Sequence, residues 1–287
     1  MLKHLVRLAR PRDWAKSVFI LLPVPFALRA GEGQLDPLAF VSGTLGFCLA
    51  SSAVYALNDV RDAAADRLHP TKRTRPVASG TVPERVALLW GAGLAVLGLL
   101  LAAATWRPAV VALVVVYLLL NALYSLGGKN LPLLDVFLLA SGFLIRVLVG
   151  CALVGAPPSS WLLLCTFWIA LFLAFGKRRA DLTRGTGAED RPKRLGYTAG
   201  FLDHAMGIAA GVAMLAYSLY GHETGAFVPG RELVGLPFVA FGFLHVLRMA
   251  HLDELRDAPV ELAFRSRALQ LCGAGWALAT AWSVGVF

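Results

Sequence analysis

Residues 37–66 read PLAFVSGTLGFCLASSAVYALNDVRDAAAD, an apolar run long enough to cross a bilayer that turns polar within about one helical turn. The polar end places Asn58, Asp62 and Asp66 at i, i+4 and i+8, so on a helix their oxygens share one face. His69-Pro70-Thr71-Lys72-Arg73-Thr74-Arg75-Pro76 follows almost at once. Mg²⁺ prefers oxygen ligands and commonly links one or two carboxylates to substrate phosphates. Lys72, Arg73 and Arg75 supply cations for those phosphates. A solvated helix end would account for any one of these acids. Three on one stripe beside a basic cluster point instead to diphosphate chemistry at a membrane. Asp59 lies about 100° round the helix from Asn58 and reads as a cap, an orienting group or a water-linked member of a metal shell.

The rest of the chain repeats the apolar theme. Hydrophobic residues make up 57% of it, charged residues 16%, and the mean hydropathy is +0.66, which excludes an ordinary soluble domain. Apolar runs near 15–32, 37–57, 84–105, 108–125, 132–155, 160–176, 200–220, 233–250 and 267–287 predict an all-α membrane bundle of nine helices. Pro23, Pro25 and Gly31 mark the first as kinked or broken. No linker or soluble-sized segment interrupts the series, so residues 1–287 read as one integral-membrane domain. With the N terminus in the cytoplasm, all Lys and Arg except Arg29, Arg107, Arg146 and Arg231 fall on the cytoplasmic side, as the positive-inside rule requires. The formal net charge of +9 is then explained by topology and anionic lipid, with no nucleic-acid partner. Cys48, Cys151, Cys165 and Cys272 lack metal-ligand spacing and read as small core residues.

The two most charged cytoplasmic connections, about 58–83 and 177–199, follow the second and sixth spans. The second opens with Phe175-Gly176-Lys177-Arg178-Arg179-Ala180-Asp181-Leu182, where Lys177 and Asp181 share a face as either a surface ion pair or a phosphate clamp with a carboxylate. A third group is Tyr124-Ser125-Leu126-Gly127-Gly128-Lys129, followed by Asp135 and Arg146 inside an apolar run. Ions in such a run face the bundle interior, paired or at a water-filled site. Arg10, Arg12, Trp14 and Lys16 combine an interfacial anchor with further phosphate contacts. His69 sits in the first basic motif, while His204 and His245 lie in spans without a metal-ligand partner at a useful spacing and read as structural.

The Asn58-x-x-x-Asp62-x-x-x-Asp66 stripe, its basic continuation, the Tyr124-x4-Lys129 element and the nine-span layout resemble the UbiA superfamily of intramembrane prenyltransferases over essentially the whole chain. Within it, residues 10–16, 69–76, 177–182 and 259–262 are similar to the decaprenyl-phosphate phosphoribosyltransferase branch. That resemblance implies Mg²⁺-dependent transfer of 5-phosphoribose from 5-phosphoribosyl diphosphate to a polyprenyl phosphate, with loss of diphosphate. It implies metal contacts from Asn58, Asp62, Asp66 and Asp59. Substrate contacts would come from Lys16, Lys72, Arg73, Arg75, Tyr124, Lys129, Lys177, Arg178 and Asp181. Typical superfamily members have an acid where Lys177 stands, and a cation there suits a donor with an additional phosphate. Lys16-Ser17 departs from the branch's usual Lys-Asn, and Asp181 replaces its usual glutamate. The competing expectations are a prenyltransferase joining a prenyl diphosphate to an aromatic or other small acceptor, and a lipid or solute transporter.

Overall fold

The computed structural model describes residues 1–68, 72–185, 195–223, 225 and 227–285, with the backbone alone at Glu223. The His69-Pro70-Thr71 part of the first basic motif and Arg191, Lys193 and Arg194 of the second charged connection lie outside them. In chain order the helices are α1 (Leu2–Ala9), α2 (Pro23–Ala30), α3 (Pro37–Arg61), α4 (Ala63–Leu68), α5 (Glu84–Ala103), α6 (Pro108–Leu126), α7 (Leu134–Val154) and α8 (Ser160–Arg184). They continue with α9 (Ala199–Glu223), α10 (Leu236–His251), α11 (Pro259–Ala263) and α12 (Arg267–Val284). Shorter 3₁₀ segments occupy Pro11–Ile20, Lys72–Thr74 and Gly128–Asn130, and no strand is present among the described residues.

Six of these helices, α3 and α5 to α9, have the length and apolarity to cross a membrane, and the protein is an integral membrane protein. The other three expected spans are shorter or less apolar. The first divides into the 3₁₀ segment Pro11–Ile20 and α2, because Pro23 and Pro25 cannot donate the backbone bonds of a continuous helix. α10 has 16 residues. α12 has 18 residues, but it opens on Arg267 and is interrupted by Gln270, Gly273 and Gly275.

Local chemistry sets the helix ends. Asp36 caps α3 by accepting from Leu38 N at 3.0 Å and Ala39 N at 3.1 Å, with Pro37 in the first turn. Ser159 caps α8 through Leu162 N at 3.1 Å. α3 stops at Arg61, so the acidic stripe is not one unbroken helix. Asp62 has ψ near 0°, yet its N–H still donates to Asn58 O at 2.8 Å and its carbonyl accepts from Asp66 N at 2.8 Å. These two i to i+4 bonds preserve the helical spacing of the stripe across the break. α8 instead runs past its apolar stretch to Arg184, carrying the basic motif on helix.

Two apolar cores share α7. One gathers Ile20, Phe47, Val110, Val114, Tyr117, Val149 and Leu153; the other gathers Val136, Phe172, Phe175, Leu202, Met206 and Phe243. Glycine allows the closest approaches. A Cβ on Gly46 would stand 2.7 Å from Gly98 O, and one on Gly98 would stand 2.7 Å from Gly46 O. The backbones of α3 and α5 therefore touch, the small-residue contact by which helices pack in lipid. On α7, a Cβ at Gly150 would lie 2.1 Å from Ile20 O, so this glycine admits the broken N-terminal segment against the bundle.

Gly98→Leu should lower the thermal unfolding midpoint in detergent, at a cost of at least about 1–3 kcal/mol from overpacking. Gly93→Ala on the same helix, whose Cβ meets nothing within 4 Å, should leave the midpoint unchanged. Equal midpoints for both variants would contradict the close approach of α3 and α5.

Candidate active site

At the polar end of α3 the amide of Asn58 and each carboxylate are held by another part of the chain. Asn58 Oδ1 accepts from Ser125 on α6, and Asp62 pairs with Lys129 from the 3₁₀ turn Gly128–Asn130. Asp66, buried on α4, accepts from Arg75 Nη1 at 2.6 Å. Arg75 also lies 3.5 Å from Asp59, which is 1% exposed and paired with Arg10. Asp59 thus sits between two arginines, one of which it shares with Asp66, and its Oδ2 is buried without a hydrogen-bond partner. Three elements distant in sequence converge here: the N-terminal segment, the α3–α4 bend with the following turn, and the α6–α7 connection.

The second constellation is built around Arg178, 2% exposed near the end of α8. Its Nε donates to Asp135 Oδ2 at 2.6 Å, Nη1 to Asp181 Oδ2 at 3.2 Å and Nη2 to the Tyr124 hydroxyl at 3.1 Å. Tyr197 closes the network by donating to Asp135 Oδ1 at 2.6 Å and accepting from Leu133 N at 2.7 Å. Burial, and then its bond to Asp135, push the Tyr197 phenol up to about 12, so it remains a donor at neutral pH. The expected i, i+4 pair of Lys177 with Asp181 does not form. Arg178, three residues before Asp181, takes that carboxylate, and Lys177 has no ion pair among the described residues. The next residue, Arg179, ties α8 to α9 through Asp203 at 2.8 Å and to the end of α10 through Asp253 at 2.6 Å.

Around these two groups lie the remaining expected contacts. Lys16 pairs with Asp13 and stands 5.8 Å from the centre of the Tyr55 ring. The 3₁₀ segment Pro11–Ile20 that carries Lys16 packs against α7 and α3. Trp14 is anchored by donating from Nε1 to Ser52 Oγ at 2.9 Å. Lys72 and Arg73 are exposed on the 3₁₀ turn Lys72–Thr74, whereas Arg75 is folded back onto the acids. Arg10, expected as a phosphate contact, is held by Asp59. Ser125 and Tyr197 have no role in the sequence reading; Ser125 falls within a motif singled out there, while Tyr197 carries no local signal.

No group of three or more His, Cys, Asp and Glu side chains among the described residues is placed to hold a metal ion. The donor set nevertheless fits Mg²⁺. Asn58, Asp62 and Asp66 offer only hard oxygens, and Mg²⁺ is usually held by one or two carboxylates with substrate phosphates completing its shell. The orphaned Asp59 oxygen adds a further acceptor beside them. Without a metal, Lys129 and Arg75 supply the positive charge these carboxylates need.

A model of the UbiA prenyltransferase family matches residues 17–267. The chain belongs to the UbiA family. Its similarity extends to decaprenyl-phosphate phosphoribosyltransferases. That of Mycolicibacterium smegmatis is 37% identical over 297 residues, covering 96% of this chain and 91% of the relative. That of Mycobacterium tuberculosis is 35% identical over 282 residues, covering 94% and 91%. A solved UbiA homologue from Archaeoglobus fulgidus, bound to GPP and Mg²⁺, superposes with a TM-score of 0.70 over 97% of both chains at 19% identity. That likeness establishes the UbiA fold, and family membership makes the protein a transferase.

Breaking the buried Arg178–Asp135 pair from one side should be costly. Asp135→Leu leaves a guanidinium without its closest counter-ion, a loss of about 3–5 kcal/mol. Asp135→Leu combined with Arg178→Met should recover most of the unfolding midpoint while transferase activity stays lost. A double variant no more stable than Asp135→Leu alone would show that the pair is not the coupled unit.

Proposed function

We propose that this protein transfers 5-phosphoribose from 5-phosphoribosyl diphosphate to a polyprenyl phosphate, releasing diphosphate. The observation supporting this most directly is the charge of the site. Where a typical superfamily member presents a second acidic stripe, this chain presents Lys177 and the buried Arg178, beside Lys16 and Lys129. A donor carrying a phosphate as well as a diphosphate suits that cationic surplus better than a prenyl diphosphate does. Full-length similarity to relatives named for the same chemistry supports the reading.

Asn58, Asp62 and Asp66, with Asp59 behind them, would hold Mg²⁺, whose charge stabilises a departing diphosphate. Lys72, Arg73 and Lys177 contribute cations to donor phosphates, and Arg75 and Lys129 shift from the acids to phosphate oxygens as the substrate enters. Arg178, fixed by Asp135, Asp181 and Tyr124, presents its remaining N–H groups in a fixed orientation. The acceptor phosphate oxygen is already anionic and needs no general base. It forms the new bond to ribose C1 as the C1–O bond to diphosphate breaks, and diphosphate leaves with the electron pair. Attack from the opposite face inverts C1. Lys16 and Lys129 orient the lipid phosphate, while its chain remains in the bilayer between helices.

The same proposal takes residues 1–287 as one domain and adds the topology. The broken N-terminal segment, the six long helices, α10 and α12 together make nine crossings, with the N terminus and active site cytoplasmic. The distribution of Lys and Arg supports that orientation.

Purified protein with Mg²⁺ should release diphosphate only when both 5-phosphoribosyl diphosphate and a polyprenyl phosphate are present, and mass spectrometry should find polyprenyl-phosphoryl phosphoribose. Asp62→Asn should lower kcat by about two orders of magnitude without shifting the unfolding midpoint. Turnover with a prenyl diphosphate and a small aromatic acceptor alone would overturn the assignment. Full activity of Asp62→Asn would remove the acidic stripe from it.

A further inference from the structure

Arg146 is the exception to the way this protein treats buried cations. It lies about 16 Å further along α7 than Asp135, at 1.5 Å per residue, and is 5% exposed. Arg178 and Arg179, buried to a similar degree, each hold two carboxylates. Arg146 has no acidic partner among the described residues. Its guanidinium is instead surrounded by the rings of Phe47 at 5.0 Å, Tyr117 at 5.3 Å and Phe143 at 5.7 Å. Nη1 donates to Gly142 O at 2.7 Å, Nη2 reaches the Tyr117 hydroxyl only at 3.5 Å, and Nε is buried with no partner.

A desolvated cation–π contact is worth about 2 kcal/mol. The effective penalty for burying an ion is several kcal/mol, and arginine cannot escape it by losing a proton. Three such contacts and the Gly142 carbonyl offset much of that cost, but the buried Nε still has no acceptor and no anion among the described residues faces the guanidinium. The surroundings intensify the deficit, because Lys16 is close enough to repel Arg146, and Lys177 in turn acts on Lys16. The segment that carries Lys16 packs on α7, the helix that carries Arg146.

We propose that Arg146 is an inner anion subsite, with Phe47, Tyr117 and Phe143 as its walls, that binds a phosphate monoester of one of the two substrates. This rests on the phosphoribosyl reading, in which both donor and acceptor carry such a group. The guanidinium offers a fork of donors to phosphate oxygens, and the aromatic walls exclude the water that would otherwise screen the pair. The bound anion supplies the counter-charge the fold omits.

The test uses the full-length protein in detergent, with ribose 5-phosphate and farnesyl phosphate as separate probes, and reads binding by calorimetry without turnover. Wild-type protein should bind both. Arg146→Gln should weaken one of them by at least about tenfold and leave the other unchanged, which identifies the phosphate that reaches the subsite. Arg146→Lys keeps the charge and the fold but loses the fork, so it should weaken the same probe by a smaller factor. Unchanged affinities in Arg146→Lys and Arg146→Gln would overturn the subsite alone. Equal weakening of both probes, with a lower unfolding midpoint in ligand-free protein, would make Arg146 structural. Wild-type protein that binds neither probe would overturn the assigned reaction and the subsite with it.

Discussion

Charge buried between apolar helices has to be cancelled where it stands, and the polar architecture of this molecule follows from that requirement. Arg178 can occupy the interior because Asp135, Asp181 and Tyr124 surround it, and Asp135 because Tyr197 takes its second oxygen. Asp59 is paired with Arg10 and lies near Arg75, which also neutralises Asp66. The pairings of Arg178 with Asp135 and Tyr124, of Tyr197 with Asp135 and of Arg10 with Asp59 join elements remote in the chain, so the same contacts that make burial tolerable also set the relative positions of α3, α6, α7, α8 and the N-terminal segment.

The two working ends differ in how exchangeable their counter-ions are. Around Arg178 the closest partner, Asp135, is fully buried and comes from α7, Tyr124 comes from α6, and Asp181 on α8 itself is the accessible one. Around the acidic stripe, Asp62 and Lys129 remain partly accessible, with side-chain exposures of 26% and 11%. Arg75 is shared between two acids. A substrate phosphate and a divalent ion could take over those charges without leaving any group uncompensated. The resting ion pairs and the loaded site are then two ways of meeting one electrostatic demand.

Much of this was legible in the sequence because hydropathy and helical spacing are local properties. The i, i+4, i+8 register of Asn58, Asp62 and Asp66 survives in the backbone bonds even though α3 ends at Arg61. Pro23 and Pro25 foretold the broken first segment. Pairing was not legible, because it depends on which helices meet. Lys177 and Asp181 have the better spacing on a helix, yet Arg178 captures the acid once α7 brings Asp135 to its Nε and α6 brings Tyr124. Asp135 and Arg146 looked alike as ions in an apolar run. Only the packing shows one tightly paired and the other enclosed by rings.

The central claim is that the oxygens of the α3–α4 stripe and the cations facing them hold the donor's diphosphate together with a divalent ion. Diffraction from crystals grown with 5-phosphoribosyl diphosphate and Mn²⁺ tests it most directly, through the anomalous signal of the metal. The account predicts a manganese peak within coordinating distance of Asn58 and Asp62, diphosphate density on its far side, and Lys129 moved from Asp62 onto a phosphate oxygen. A peak elsewhere in the bundle, with the Asp62–Lys129 pair intact beside bound donor, would contradict it.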